Sequence, residues 1–257
     1  MKVAIAGAGG RMGRTLIEGV LADRELALAA ALDAPGAAAI GQAAGTLRIT
    51  DDLGALAAAD VLIDFTRPEG TLAHLQACLA RDKRMVIGTT GFSEAQAAGI
   101  TQAARRIPIV LSPNFAIGVN VVFRLAQTAA RALGDAYDVE IVEAHHRHKV
   151  DAPSGTALKL GELVAQALGR DLGQVATHGR HGDTGERPAK AIGFHAIRGG
   201  DIVGEHTVIF AGMGERVEIA VRSQSRSTYA AGALRAAKWL AGRGPGLYDM
   251  FDVLGLK

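Results

Sequence analysis

Short apolar runs and stretches of helical spacing take turns through the first part of this chain. Lys2–Ala6 is an apolar run of the kind that forms a buried parallel strand, and Arg14–Ala22 has helical periodicity. Leu26–Leu32, Val61–Phe65, Arg84–Gly88 and Ile107–Leu111 read as further strands. Helices are predicted over residues 69–81 and 93–105, the second with Ser93 as its N-cap. Strands alternating with helices predict a doubly wound parallel sheet.

The period changes after Gly118. Residues 118–133 read as a helix, and Tyr137–Glu143 alternates as a half-buried strand. A helix is expected over 155–168. Residues 170–205, rich in Gly, His, Arg and Asp, carry no clear period. Glu205–Phe210 and Arg216–Val221 alternate again, as in an antiparallel or mixed sheet, and Tyr229–Leu240 returns to helical spacing. The pattern predicts an α/β chain. An N-terminal Rossmann-like doubly wound parallel sheet would span residues 1–116 plus 226–257. An inserted α+β domain with a mixed sheet would span 117–225, with hinges near 115–118 and 222–227.

The turn after the first strand narrows the chemistry. Gly7-Ala8-Gly9-Gly10-Arg11-Met12-Gly13 lies between a strand and a helix, the context that a dinucleotide fingerprint requires. Met12 sits where a strict G-x-G-x-x-G would place its third glycine. Gly7, Gly10 and Gly13 keep the physical roles of tight turn, close backbone approach to a pyrophosphate, and close helix–strand packing. Asp33 closes the second strand, placed to accept hydrogen bonds from a ribose 2′-hydroxyl. Ligands of open α/β sheets lie beyond the carboxyl ends of the strands. Thr66, Gly88-Thr89-Thr90 and Ser112-Pro113-Asn114-Phe115 therefore belong to the same rim. The bland alternatives are an ordinary glycine-rich turn, and Thr and Ser side chains that only cap helices.

Composition removes several classes. The chain has 257 residues, enough for one large or two modest domains. Its formal net charge of +2 gives no global nucleic-acid signature. No apolar run is long enough to span a bilayer, so no membrane partner is expected. Met1-Lys2 leads straight into the first strand, so no signal peptide is expected. The single cysteine, Cys78, leaves no intramolecular disulfide framework, in keeping with a cytoplasmic protein.

The densest chemistry lies in Glu143-Ala-His-His-Arg-His-Lys-Val-Asp-Ala-Pro-Ser-Gly-Thr156. His145, His146, Arg147, His148 and Lys149 can carry positive charge, and Asp151 follows. Ser154-Gly155-Thr156 opens a helix whose N–H groups would face an anion. Cations beside a helix N-terminus suit a small substrate with more than one carboxylate, and the His and Lys side chains can move protons. Idle loop histidines are the bland reading. Three histidines with Asp151 also resemble a metal-ligand set, but Arg147 and Lys149 are interleaved with them and would repel a cation, so no metal is expected.

Together these segments resemble the 4-hydroxy-tetrahydrodipicolinate reductase (dihydrodipicolinate reductase) family of bacterial lysine and diaminopimelate synthesis. The resemblance spans the chain. It rests on Gly7–Gly13, Ile63-Asp-Phe-Thr-Arg-Pro-Glu-Gly70, Val86–Phe92, Asn114-Phe115 with Gly118-Val-Asn120, the segment 143–157, and Gly200-Asp-Ile-Val-Gly-Glu-His-Thr207. It implies an NAD(P)H-dependent reductase of a cyclic imine dicarboxylate and a homotetramer. In that frame His145 is the principal acid/base residue and Lys149 a second proton donor. His146, Ser154, Gly155 and Thr156 contact substrate. Gly7 to Met12 (Ala8, Gly9, Gly10 and Arg11 included), Asp33, Gly88 to Thr90 and Ser112 to Phe115 contact the cofactor. The inserted domain would then bind substrate and form the oligomer.

Two departures from the family pattern stand out. Ser112-Pro113 replaces a small Ala-Ala pair, and Ala34 replaces an Arg found beside the ribose acid in some members. With no positive charge in Ala34-Pro35-Gly36-Ala37, and with Arg11 and Arg14 as the only local substitutes that could reach a 2′-phosphate, NADH should serve at least as well as NADPH, with dual use expected. The rivals are another amino-acid or semialdehyde dehydrogenase of similar plan, and a nucleotide sensor without catalysis. Neither has a need for the 143–157 motif.

Overall fold

A computed structural model describes all residues, Met1–Lys257, and divides the chain into two compact units: Met1–Ile117 with Arg226–Lys257, and Gly118–Ser225.

The first unit contains β1 (Lys2–Ala6), α1 (Arg11–Ala22), β2 (Ala27–Leu32), the small hairpin β3 (Ala43–Ala44) and β4 (Leu47–Arg48), and a 3₁₀ turn over Leu53–Ala58. It continues with β5 (Val61–Asp64), α2 (Pro68–Leu79), β6 (Arg84–Ile87), α3 (Glu94–Ala103) and β7 (Pro108–Leu111). The six-stranded sheet is parallel throughout, in the order β13-β7-β6-β5-β1-β2, where β13 is Gly246–Tyr248 near the C-terminus.

Alternation along β1 explains the double winding. Val3 and Ile5 pack with Leu16, Ile17 and Val20 of α1, and with Ala233, Leu234 and Ala237 from the C-terminal part of the chain. Ala4 and Ala6 pack with Leu75 and Cys78 of α2 and Ile100 and Ala103 of α3. Both faces of the strand are therefore dry, which is why its sequence is a continuous apolar run. Ser93 caps α3 in a capping box with Gln96.

The second unit holds α4 (Ile117–Leu133), β8 (Asp138–His145), α5 (Gly155–Ala167), a short α6 (Leu172–Val175), β9 (Ala176–His178), β10 (Ile192–Arg198), β11 (Gly204–Ala211) and β12 (Arg216–Ser223). Its five-stranded sheet runs β12-β11-β8-β10-β9. β10 is parallel to β8 and β9, whereas β11 is antiparallel to β8 and β12. The sheet is thus mixed. Val139 and Ile141 of β8 alternate inward with Val208 and Phe210 of β11. A Cβ on Gly161 of α5 would lie 2.4 Å from the Phe194 ring, so the helix sits directly on β10. The chain then returns to the first unit with α7 (Ser227–Trp239), β13 and α8 (Met250–Leu254).

Two parts of the pattern read differently in the structure. Residues 170–205 contain β9 and β10, and β10 pairs with β8 in the middle of the sheet. Gly193 breaks its apolar run because Glu140 of β8 fills the space: a Cβ there would lie 1.7 Å from a Glu140 carboxylate oxygen. β13 and α8 were also not legible, being only 3 and 5 residues long. No helix is long and apolar enough to cross a membrane.

Candidate active site

The glycine turn of the first unit is shaped by what a side chain would strike. Gly7 has φ +70°, in the left-handed region. A Cβ at Gly13 would lie 2.0 Å from the Gly7 carbonyl oxygen, and one at Gly9 would lie 2.2 Å from the Ala39 Cβ. The start of α1 can thus press against the turn, and its first N–H groups are directed at the space in front of it. Asp33 is half-buried and accepts Gly9 N–H at 2.7 Å and Ala34 N–H at 2.8 Å. Each carboxylate oxygen keeps a second lone pair for a ribose hydroxyl. Arg14 donates its Nε–H to the Gly9 carbonyl at 3.1 Å.

A cleft of about 450 Å³ lies against this turn. Its walls include Gly7, Gly10, Arg11, Met12, Gly88, Thr90, Pro113, Asn114 and Phe115. Other rim residues face inward. Ala8 is buried and donates its N–H to the Leu32 carbonyl at 2.9 Å. Thr89 is buried and accepts from Thr71 at 2.8 Å; Ser112 is buried and donates to the Asn114 carbonyl at 2.9 Å. These side chains set the shape of the rim. Arg226 and Tyr229, at the start of α7, line the same cleft and were missed from sequence. They lie more than a hundred residues beyond Phe115, and only the expected hinge over 222–227 marked the place. A larger groove, about 830 Å³, lies between α1 and α7 and touches no residue of the turn, so the chemistry favours the smaller cleft.

The histidine segment of the second unit follows the end of β8. His145 is its last residue, 8% exposed. Its Nδ1 lies 2.6 Å from Oε2 of Glu143, which is 1% exposed. The other carboxylate oxygen accepts Ser154 N–H at 3.1 Å. Arg198, at the end of β10, places Nη1 and Nη2 on the two oxygens at 2.8 and 2.7 Å. Burial pushes Glu143 up, but the bonds from Arg198 and His145 overcome it and hold the carboxyl below its usual range. Burial pushes His145 down, and Lys149 and Arg198 add to this, while Glu143 opposes it.

His206 of β11 lies edge-on to His145, with ring centroids 5.1 Å apart. Burial, reinforced by the charge of His145 and Lys149, lowers His206 to about 4, so it is neutral at physiological pH. Its Nε2 is 3.0 Å from Ser154 Oγ, which also caps α5 by accepting Ala157 N–H at 3.2 Å. Ser154 is 2% exposed, with its hydroxyl shared between these partners. Lys149 pairs with Asp151 at 2.8 Å, and that pairing lowers the Asp151 carboxyl. His146 is half-buried, and its Nδ1 is buried without a hydrogen-bond partner. Gly155 and Thr156 begin α5 beyond this cap, with Gly155 exposed.

The structure thus brings His145, His146, Lys149, Ser154, Gly155 and Thr156 onto one loop and helix start. Glu143, Arg198 and His206 hold that loop. Sequence reasoning placed Glu143 and His206 in quoted motifs without a role and missed Arg198, which arrives on β10. No group of three His, Cys, Asp or Glu side chains is arranged to hold a metal ion.

A parallel sheet with a glycine turn and an acid at the end of its second strand, in a chain with a histidine-rich loop, points to a dinucleotide-dependent oxidoreductase. Residues 1–115 match the family model described as dihydrodipicolinate reductase, N-terminus, and residues 118–254 match its C-terminus counterpart. The chain belongs to the dihydrodipicolinate reductase family, whose members use a pyridine nucleotide. It is 61% identical to the 4-hydroxy-tetrahydrodipicolinate reductase of Aromatoleum aromaticum, over 100% of this chain and 96% of the relative. It is 58% identical to that of Thiobacillus denitrificans, over 100% and 99%. Among solved structures, dipicolinate-bound dihydrodipicolinate reductase from Paenisporosarcina sp. TG-14 superposes with a TM-score of 0.79 at 26% identity, covering 98% of each chain. The C-terminal family model runs to residue 254, although residues from Arg226 onward pack in the first unit.

Proposed function

We propose that this chain reduces 4-hydroxy-tetrahydrodipicolinate to tetrahydrodipicolinate, with loss of water, in the synthesis of diaminopimelate and lysine. The observation that carries this reading is the buried Glu143–His145 pair beside the N-terminus of α5, inside the 143–157 motif. The first unit serves the nucleotide and the second the substrate. The glycine turn and Asp33 fit an adenosine ribose and pyrophosphate: without a Cβ, Gly9 and Gly13 let the turn pack tightly on its neighbours and on α1, and Asp33 closes it with a carboxylate. When bound, the reduced nicotinamide supplies hydride to C4 of the conjugated imine.

Gly155 and Thr156 receive one substrate carboxylate at the start of α5, where backbone N–H groups point outward. Ser154 fixes that turn from behind. The half-buried His146 ring and the Lys149 ammonium suit the second carboxylate. Addition of hydride leaves an electron-rich enamine that must take a proton. His145, with Nδ1 on Glu143, exchanges that proton through Nε2. Its lowered pKa leaves it neutral in the free protein, and a dianionic substrate raises it again. Lys149 supplies a second acidic proton.

For the nucleotide, Asp33 favours a 2′-hydroxyl over a 2′-phosphate, while Arg11, which lines the cleft, and Arg14, which commits only its Nε–H to Gly9, are the local charges that let a 2′-phosphate be accepted. NADH is therefore used at least as well as NADPH, with dual use. Assembly into a homotetramer through the second unit is in keeping with β12, an edge strand whose residues Arg216, Val217 and Glu218 are all exposed. The reading places the enzyme in the cytoplasm. Mixing the protein with NADH and freshly generated dihydrodipicolinate-synthase product tests it: NADH absorbance should fall. No loss with either NADH or NADPH would overturn it.

A further inference from the structure

Glu143 is almost fully withdrawn from solvent. Its four hydrogen bonds all run to parts of the same site. It takes His145 Nδ1 at 2.6 Å, Ser154 N–H at 3.1 Å, and both terminal nitrogens of Arg198 at 2.8 and 2.7 Å. Arg198 in turn donates to the Asp151 carbonyl at 2.6 Å and the Ile197 carbonyl at 2.7 Å. The glycines that follow it continue the grip: Gly199 N–H donates to the His145 carbonyl at 3.0 Å, and the Gly200 carbonyl accepts Arg147 N–H at 3.2 Å. The parallel register of β10 on β8 sets Arg198 opposite His145.

From this geometry we infer that Glu143 and Arg198 form a positioning pair, which fixes His145 as the Nδ1–H tautomer and keeps Nε2 for proton exchange. The inference rests on the reading of His145 as the proton donor. A carboxylate can only accept, so the nitrogen 2.6 Å from it must carry hydrogen. Arg198 matters because Glu143 would otherwise be a buried charge with an incomplete set of donors. Its planar fork engages both oxygens at once, a geometry an ammonium does not reproduce. The same carboxylate anchors the turn that begins α5. Proton donor and anion-binding helix are therefore referred to one rigid group.

The two members pull His145 in opposite directions. The charged and titratable groups that face the imidazole are Glu143 on its own strand, Lys149 on the following loop, Arg198 on β10 and His206 on β11. Glu143 favours the imidazolium, while Arg198 and Lys149 disfavour it. A Glu143→Gln change removes the favourable charge, so His145 should titrate at lower pH than in the wild type. An Arg198→Met change removes an unfavourable charge, so it should titrate at higher pH. A role confined to packing gives no reason for opposite signs.

The test is nitrogen NMR of the histidine rings in the full-length protein, with the His145 signals assigned by their absence in His145→Gln. The wild type should show His145 protonated at Nδ1 and bare at Nε2 at neutral pH. The two variants should then shift its titration in opposite directions. In both, kcat should fall by roughly tenfold or more, on the way to the ~10⁴-fold that a wrong imidazole tautomer can cost, while NADH affinity holds. Arg198→Lys should recover only part of the loss. A wild-type ring protonated at Nε2 overturns the inference even if a variant fails to fold. So do titrations that shift the same way or do not move. The NMR needs no substrate. A protein inactive as a reductase that shows these shifts would therefore sink the functional reading and leave the positioning pair standing.

Discussion

At the glycine turn the decisive contacts are between backbone and backbone, whereas in the histidine segment they are between side chains. Gly13 can sit against Gly7 only because it has no Cβ, and the polar groups there are N–H groups and one carboxylate, Asp33. In the second unit Glu143 draws donors from β8, β10 and the start of α5. The first kind of site tolerates almost no added atom. The second tolerates no change in charge or proton inventory. Substitutions should therefore fail in different ways: loss of nucleotide binding in one, loss of turnover or altered pH dependence in the other.

The largest effect should come from the residues proposed to move protons. His145→Gln and Lys149→Ala are each expected to lower kcat by about 10²–10⁴-fold, with little change in NADH affinity. Steady-state rates at saturating substrate, set beside NADH fluorescence titration, check this. Near-wild-type turnover in either variant would remove that residue from the mechanism.

Next in size is the pH dependence of stability. His206 is lowered from 6.5 to about 4 in the folded protein, and His145 is lowered too. Between those two pH values the unfolded chain takes up a proton that the folded chain refuses, so stability should fall as pH drops from 6.5 toward 4. The His206 contribution is about 3 kcal/mol at most. Denaturation midpoints across that range should show the decline, and His206→Asn should flatten it. An unchanged slope in the variant would mean that His206 is not the buried neutral group described.

Gly13→Ala tests the other region. Its Cβ would lie 2.0 Å from a backbone oxygen, so the turn or α1 must shift. Overpacking of this kind costs about 1–3 kcal/mol, and NADH affinity should fall with it. Calorimetry and NADH titration on the same preparation report both. A variant that binds NADH normally would show that the turn does not approach the nucleotide. The smallest effect concerns the cofactor. Ala34→Arg should favour NADPH by about 1 kcal/mol at this exposed position. A wild type preferring NADPH by roughly tenfold or more would contradict the Asp33 reading.

The same contrast explains what could be read from the sequence. Shape requirements are local, so Gly7, Gly13 and Asp33 announced the glycine turn and its closing carboxylate within about thirty residues. The apolar run of β1 announced a strand buried on both faces. The histidine segment stood out because its titratable groups are contiguous. Its framework was hidden, since Arg198 reaches Glu143 only through the parallel pairing of β10 with β8, 55 residues away. β10 itself escaped notice because Gly193 and the polar His195 answer to Glu140 on the neighbouring strand, not to any period of their own. Ser154 was legible as the opening of α5, but its hydroxyl's sharing between the α5 cap and His206 was not, since His206 arrives on a strand 52 residues away.

The central claim is that the two regions divide the work, and Thr156→Val probes it most directly. The change keeps the shape of the side chain and removes its hydroxyl at the start of α5. Substrate KM and NADH Kd are to be measured on one preparation. The account predicts a KM raised by roughly tenfold, as for a lost hydrogen bond to a charged group, with NADH Kd unchanged. Weakened NADH binding with an unaltered KM would contradict it.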